Sequence, residues 1–73
     1  SERMAVHWNE IEPFVKATLE ATGQVERAEA VNRAFAENAS DDVIDTLDAI
    51  GSRVFPTIDA ARAFLVGQGL VAE

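Results

Sequence analysis

The sequence predicts an all-α fold, a compact single domain of four short helices spanning residues 1–73. Apolar residues recur at helical spacing in four segments, and no segment alternates apolar and polar residues over the length of a strand. Stop and start signals separate the four segments. A chain of 73 residues without cysteine has a small core and no disulfide. Helix packing must therefore supply nearly all of its stability.

Two helices are expected in the first half of the chain. Asn9 is the expected N-cap of the first helix, and Gly23 ends it. Its apolar positions at helical spacing are Ile11, Phe14, Val15, Thr18, Leu19 and Thr22. The second helix is expected over residues 25–37, with a predicted inward stripe of Val25, Ala28, Val31 and Phe35 and with Ala34 beside it.

Two more helices are expected in the second half. Ser40 is the expected N-cap of the third, over residues 41–50, and Gly67 and Gly69 end the fourth, over residues 58–66. The predicted inward residues are Val43, Ile44, Leu47 and Ile50 on the third helix and Ile58, Ala61, Phe64 and Leu65 on the fourth. Leu70 and Val71 then form a tail that folds back onto the core.

A helix–link–helix corner is predicted at residues 51–57. Gly51 ends one helix, Pro56 holds the preceding residue extended, and Thr57 caps the next helix through its hydroxyl. We expect at most a short β-bridge at residues 54–55. Neither the turn conformation nor the helix cap requires arginine at position 53 or phenylalanine at position 55. Arg53 either bonds the last carbonyls of the third helix or contacts a partner, and Phe55 either fills the core or is exposed for binding.

The charge balance restricts the classes of partner. Six basic and thirteen acidic residues give a formal net charge of −7. This charge disfavours direct contact with nucleic-acid phosphates and anionic membranes, and it favours basic protein surfaces. No apolar run approaches the roughly 20 residues of a membrane span, and no signal-peptide pattern is present, so a cytoplasmic location is expected. Residues 1–3 resemble a remnant of expression, with Met4 as the natural start.

Three acidic residues form the most distinct charged feature. Asp41, Asp45 and Asp48 fall on one face of the third predicted helix. They could guide a basic partner, or weakly bind a divalent cation. A calcium loop needs alternating ligands and a glycine turn, which this segment does not have. We therefore expect no metal site here.

The sequence contains no set of residues typical of an active site. His7 is the single imidazole, there is no thiol, and no nucleophile elbow surrounds any hydroxyl. We therefore predict neither an enzyme nor a cofactor. Trp8, the single indole, either attaches the start of the first helix to the core or serves as an exposed anchor for a partner.

The corner resembles a known bacterial family. Residues 50–59, Ile-Gly-Ser-Arg-Val-Phe-Pro-Thr-Ile-Asp, resemble the domain of unknown function twenty-seven ninety-five, in which Leu-Pro-Asp-Arg-x-Tyr-x-Ser-Pro is typical. Arg53, Phe55 and Thr57 match by type and spacing, whereas Gly51 and Ile58 stand where proline is usual. The likeness covers residues 40–66. It implies a small helical fold and leaves the function open.

The sequence therefore favours a small acidic helical module that binds a protein partner and does not catalyse, with a homodimer as one form of it. The expected partner-binding residues are Trp8, Arg53, Phe55, Asp41, Asp45 and Asp48. The alternative is an acidic regulator that acts on nucleic-acid transactions indirectly, as a DNA mimic or by binding a transcription factor. That alternative requires carboxylates in a row that imitates phosphates.

Overall fold

The computed structural model describes residues 6–73, and four helices lie within this part of the chain. The predicted expression remnant and Met4 lie outside the described residues. The helices are α1 (Trp8–Thr22), α2 (Arg27–Ala36), α3 (Asp41–Asp48) and α4 (Ile58–Gly67). The prediction of four short helices is confirmed. None of these helices is long and apolar enough to cross a membrane.

Short strands make the fold mostly helical rather than purely all-α, which corrects the predicted class. The strands are β1 (Val6–His7), β2 (Val25–Glu26), β3 (Val54–Phe55) and β4 (Val71–Ala72). β1 pairs with β4 in parallel, and β2 pairs with β3 in the antiparallel direction. Each strand has two residues, and two residues are too few to show the alternation by which a strand is recognised in a sequence.

The two strand pairs join segments of the chain that lie outside the helices. The β2–β3 pair aligns Val25 with Phe55 and Glu26 with Val54, so it joins the α1–α2 connection to the corner before α4. The β1–β4 pair aligns Val6 with Val71 and brings the two ends of the described chain together. The predicted tail does fold back, since Val71 is buried.

The start of α1 differs from the prediction by two residues. The N-cap is His7 instead of Asn9, and Trp8 is the first helical residue. The Glu10 carboxylate accepts a hydrogen bond from the His7 backbone N–H at 3.0 Å. A glutamate at the third helical position satisfies the N-cap backbone in this way, so the cap does not depend on the side chain of Asn9.

The inward face of α2 was predicted correctly for Ala34 and Val31 and wrongly for Ala28 and Phe35. Ala30 and Ala34 are fully buried, whereas Ala28 is exposed and Phe35 is 62% exposed. Val25 belongs to β2, so it does not set the rotational phase of the helix that begins at Arg27. α2 packs against both α1 and α3, and the small alanines allow close approach there.

Most residues of the stripes predicted on the other three helices belong to the core or pack against it, whereas Thr22 of α1 is exposed. The fully buried larger side chains of the core include Ile11 and Val15 of α1, Leu47 of α3 and Leu65 of α4. Two buried polar residues also belong to it. Thr18 donates a hydrogen bond to the Gln24 carbonyl at 3.4 Å and Thr46 donates one to the Asp42 carbonyl at 2.8 Å, so neither hydroxyl is buried without a partner.

The predicted N-caps of α3 and α4 are confirmed. Ser40 Oγ accepts a hydrogen bond from the Val43 N–H at 3.2 Å, and Thr57 Oγ1 accepts one from the Ala60 N–H at 3.1 Å. α3 ends at Asp48, two residues before the predicted end, and its C-cap is Ala49, so Gly51 does not end the helix directly. Its φ of 66° instead forms part of the turn that follows α3. α4 continues through Gly67, one residue beyond the predicted end, and Gln68 is its C-cap.

Gly51→Ala is expected to lower the free energy of unfolding by roughly 1–2 kcal/mol, because a Cβ is disfavoured at positive φ. The open space around Gly51 excludes a steric clash as the cause, since the nearest atom to an added Cβ would be Arg53 Nη1 at 3.6 Å. Urea unfolding measures the change. Gly67→Ala is the matched control. It places the same methyl in open space on a helix, and we expect it to stabilise by up to about 1 kcal/mol. Equal effects of the two substitutions would contradict the conformational argument.

Thr57→Ala is expected to lower the free energy of unfolding by about 1 kcal/mol, because the first turn of α4 loses the acceptor for the Ala60 N–H. Ser52→Ala removes a hydroxyl from an exposed residue of the same corner and should change stability by less than about 0.5 kcal/mol. Thermal or urea unfolding of both variants checks the difference, and a neutral Thr57→Ala would show that the cap is dispensable.

Candidate functional site

The corner presents a stack of one cation and two aromatic rings. The ring centroids of Phe55 and Phe64 lie 5.5 Å apart with the planes tilted by 37°. The Arg53 guanidinium carbon lies 4.5 Å from the Phe64 ring centroid, within the range of a cation–π contact. Together with the neighbouring Val54 these residues form what we call the corner surface: Arg53, Val54, Phe55 and Phe64.

Two adjoining elements hold the corner surface in place. β3 carries Val54 and Phe55 and is paired with β2 on one side. Pro56 and the capped start of α4 follow directly, and Phe64 lies about two turns into that helix. Val54, Phe55 and Phe64 are thus carried by a strand pair and a helix, whereas Arg53 lies in the connection directly before β3.

The side chains of β3 divide between the core and the solvent. Phe55 is half-buried and packs against the core, as the structural alternative predicted for it. Val54 is 50% exposed. Successive side chains of a strand point to opposite faces, so burying Phe55 turns Val54 outward. The result is an exposed apolar side chain beside the aromatic stack.

Arg53 directly precedes β3, five residues beyond the end of α3, and its shortest contacts differ from the predicted bonds to the last carbonyls of that helix. Its Nη1 is 3.5 Å from the Ile50 carbonyl oxygen, which is the long limit of a hydrogen bond. The contact with Phe64 was not anticipated, since Phe64 was assigned to the core stripe of α4. Only the packing of the corner against α4 brings these two residues together.

Trp8 lies apart from the corner surface. It is 6% exposed and belongs to the core, which agrees with its structural alternative and leaves little of the indole for a partner. The Arg62 guanidinium carbon lies 5.5 Å from the Trp8 ring. Arg62 and Phe64 are two residues apart on α4 and therefore project from different sides of that helix. Trp8 and Phe55 accordingly face different sides of α4.

The three predicted acidic residues are all exposed on α3. Asp48 is near the corner, and its Oδ1 lies 3.1 Å from Arg27 Nη1 in an ion pair with 45% and 62% of the two side chains exposed. An exposed pair of this kind contributes little to stability. Asp41 is at the other end of α3, about 10 Å away along the helix axis, and Asp45 lies between them. Within residues 6–73, no three acidic, histidine or cysteine side chains converge as metal ligands.

A second feature, not anticipated from the sequence, is a cleft beside the ends of the described chain. We call it the terminal cleft, and it has a volume of about 510 Å³. It is lined by His7, Trp8, Asn9, Arg62 and Glu73. Glu73 Oε1 lies 3.5 Å from Arg62 Nη2. These residues are far apart in the sequence and meet because β4 pairs with β1.

Comparison of the chain with models of protein families, with curated proteins and with solved structures found no match. The resemblance of residues 40–66 to the domain of unknown function twenty-seven ninety-five therefore stays a prediction.

The cation–π contact predicts a coupling between Arg53 and Phe64. In a double-mutant cycle with Arg53→Met and Phe64→Leu, we expect an interaction energy of about 0.5–1 kcal/mol, because each substitution removes one side of the contact. The measurement is urea unfolding of the four proteins. A cycle that pairs Phe64→Leu with Arg33→Met, at an exposed arginine on α2, should be additive within about 0.5 kcal/mol. Equal coupling in both cycles would contradict a specific contact.

Proposed function

We propose that this protein is a non-catalytic binding module whose corner surface docks on a protein partner. The observation that carries the proposal is the exposed Val54 beside the stack of Arg53, Phe64 and Phe55. Arginine and aromatic residues are enriched in protein interfaces and among the residues that dominate binding energy. The four residues of the corner surface contact the partner together.

The rigidity of the corner supports this proposal. Val54 is held by the pairing of β3 with β2, and Phe64 by its place within α4. Side chains that are already ordered lose less conformational entropy when a partner binds. A small preorganised surface can therefore bind with less ordering cost than a free loop of the same composition.

The charge of the chain determines the chemistry of the expected partner. The formal net charge is −7, and Asp45 and Asp48 lie on α3, which leads into the corner. We infer that the partner presents a basic surface with an apolar residue that contacts Val54. A homodimer would bring together two copies of charge −7, so we expect self-association to require screening by salt.

The indirect nucleic-acid regulator has less support from the geometry. A DNA mimic needs many carboxylates in a row, since duplex DNA carries one charge per about 1.7 Å. α3 offers Asp41, Asp45 and Asp48 on one face, and Asp48 is already paired with Arg27. A transcription factor with a basic face would nevertheless satisfy the proposed partner chemistry.

A capture experiment with Val54→Lys tests the proposal. The protein is immobilised and exposed to a lysate of its source cells, and captured proteins are identified and quantified. We expect a basic protein to be retained by the wild type and reduced at least tenfold by Val54→Lys, because the substitution places a positive charge at the expected contact. Retention should fall as salt is raised.

Phe35→Lys is the matched control. Phe35 is also a large exposed apolar residue, but it lies at the far end of α2, about 13 Å of helix from the Glu26 residue that pairs with Val54. This variant should retain the partner. Urea unfolding establishes that both variants are folded. Equal retention by wild type and folded Val54→Lys, or loss in Phe35→Lys alone, would overturn the proposal for the corner surface.

A further inference from the structure

We propose that the terminal cleft binds a small organic monocarboxylate through Arg62, in competition with the carboxylate of Glu73. The site lies on a different part of α4 from the corner surface, so the inference does not depend on the proposed function. It rests on the arrangement of one arginine, one indole and one loosely held acid around an open cleft.

The first argument is the weakness of the internal ion pair. Arg62 Nη2 and Glu73 Oε1 are 3.5 Å apart, longer than the roughly 2.7–2.9 Å of a charge-assisted hydrogen bond. The side chains are 41% and 60% exposed, so water screens their attraction. Among the described residues, Glu73 is the only acid paired with Arg62. The chain thus places a carboxylate near this guanidinium without binding it tightly.

The second argument is the position of the guanidinium. Arg62 lies 5.5 Å from the ring of the buried Trp8, a contact that keeps the cation at the wall of the cleft. A guanidinium has five N–H donors in a planar fork that matches a carboxylate. One long contact with Glu73 leaves most of those donors available to a ligand with a better geometry.

The third argument concerns which ligand fits. The volume of about 510 Å³ is within the range of small-molecule sites, and the walls combine the Trp8 indole with the polar side chains of His7 and Asn9. Arg62 is the one full cation among the lining residues, in a chain of net charge −7. The net negative charge of the chain repels a phosphate with two charges or a polyanion more strongly than a ligand with one charge, so a single carboxylate on a small organic group is the class that the cleft favours.

Trp8 provides a direct readout, because it is the single tryptophan and gives one indole N–H signal in a nitrogen-correlated NMR spectrum. We expect that signal to shift saturably when sodium benzoate is added, with a dissociation constant in the millimolar range. Benzamide, the neutral analogue of the same shape, and sodium chloride at the same ionic strength should not produce this saturable shift. These probes separate recognition of the carboxylate from apolar contact and from salt.

Variants of the two charged residues test the competition. Arg62→Gln should weaken benzoate binding at least tenfold, and Arg62→Lys, which keeps the charge but lacks the planar fork of donors, should weaken it less than Arg62→Gln does. Glu73→Gln should tighten binding about two- to fivefold, because it removes the internal competitor. Arg33→Gln makes the same change of charge on α2 and should bind as the wild type does.

The proposal is overturned by any of three results. These are a shift that benzamide reproduces, a shift that grows linearly with salt, or equal binding by the wild type and a folded Arg62→Gln variant. Unchanged binding by Glu73→Gln would overturn the competition specifically. Folding of each variant is checked by urea unfolding, and if Arg62→Gln does not fold, the benzamide and sodium chloride controls on the wild type still decide whether the cleft recognises a carboxylate.

Discussion

The pairing of β2 with β3 is the interaction on which the rest of this structure depends. Two residues from each strand join the connection between α1 and α2 to the corner that precedes α4. In a chain with no disulfide, this pairing restrains both connections at once. Because Val25 and Glu26 belong to β2, α2 begins at Arg27. Because Phe55 of β3 faces the core, its neighbour Val54 faces the solvent, so the strand pair determines both a helix boundary and the exposed residue of the corner surface.

The core shows how a small chain packs helices closely. α2 contributes Ala30 and Ala34 to the interior, and it packs against both α1 and α3 through these small side chains. The larger apolar residue of this helix, Phe35, remains exposed. Phe35 lies near the end of α2, and Val54 lies beside its start. Both remain exposed because the β2–β3 pairing positions the start of α2 and because its alanine face packs closely against α1 and α3.

The N-caps Ser40 and Thr57 and most of the apolar positions of α1, α3 and α4 were predictable, because they depend on residues close in the sequence. Ser40 and Thr57 accept hydrogen bonds from N–H groups three residues ahead, and Gly51 adopts its positive φ in the turn that follows α3. Among the candidate site residues, the half-buried position of Phe55 followed one of its two predicted alternatives. The contact of Arg53 with Phe64 did not follow from the sequence, because eleven positions and a corner separate the two residues.

The sequence by itself determined the number of helices, the caps Gly23, Ser40 and Thr57, the acidic face of α3 and the sharp corner at residues 51–57. Each of these depends on hydrogen bonds or periodicity within a few residues. Only the tertiary structure decided the strand pairs, the inward face of α2, the stack on Phe64 and the terminal cleft. These features join residues that are distant along the chain, and two-residue strands and an alanine-rich helix carry too little local pattern to predict which surfaces meet.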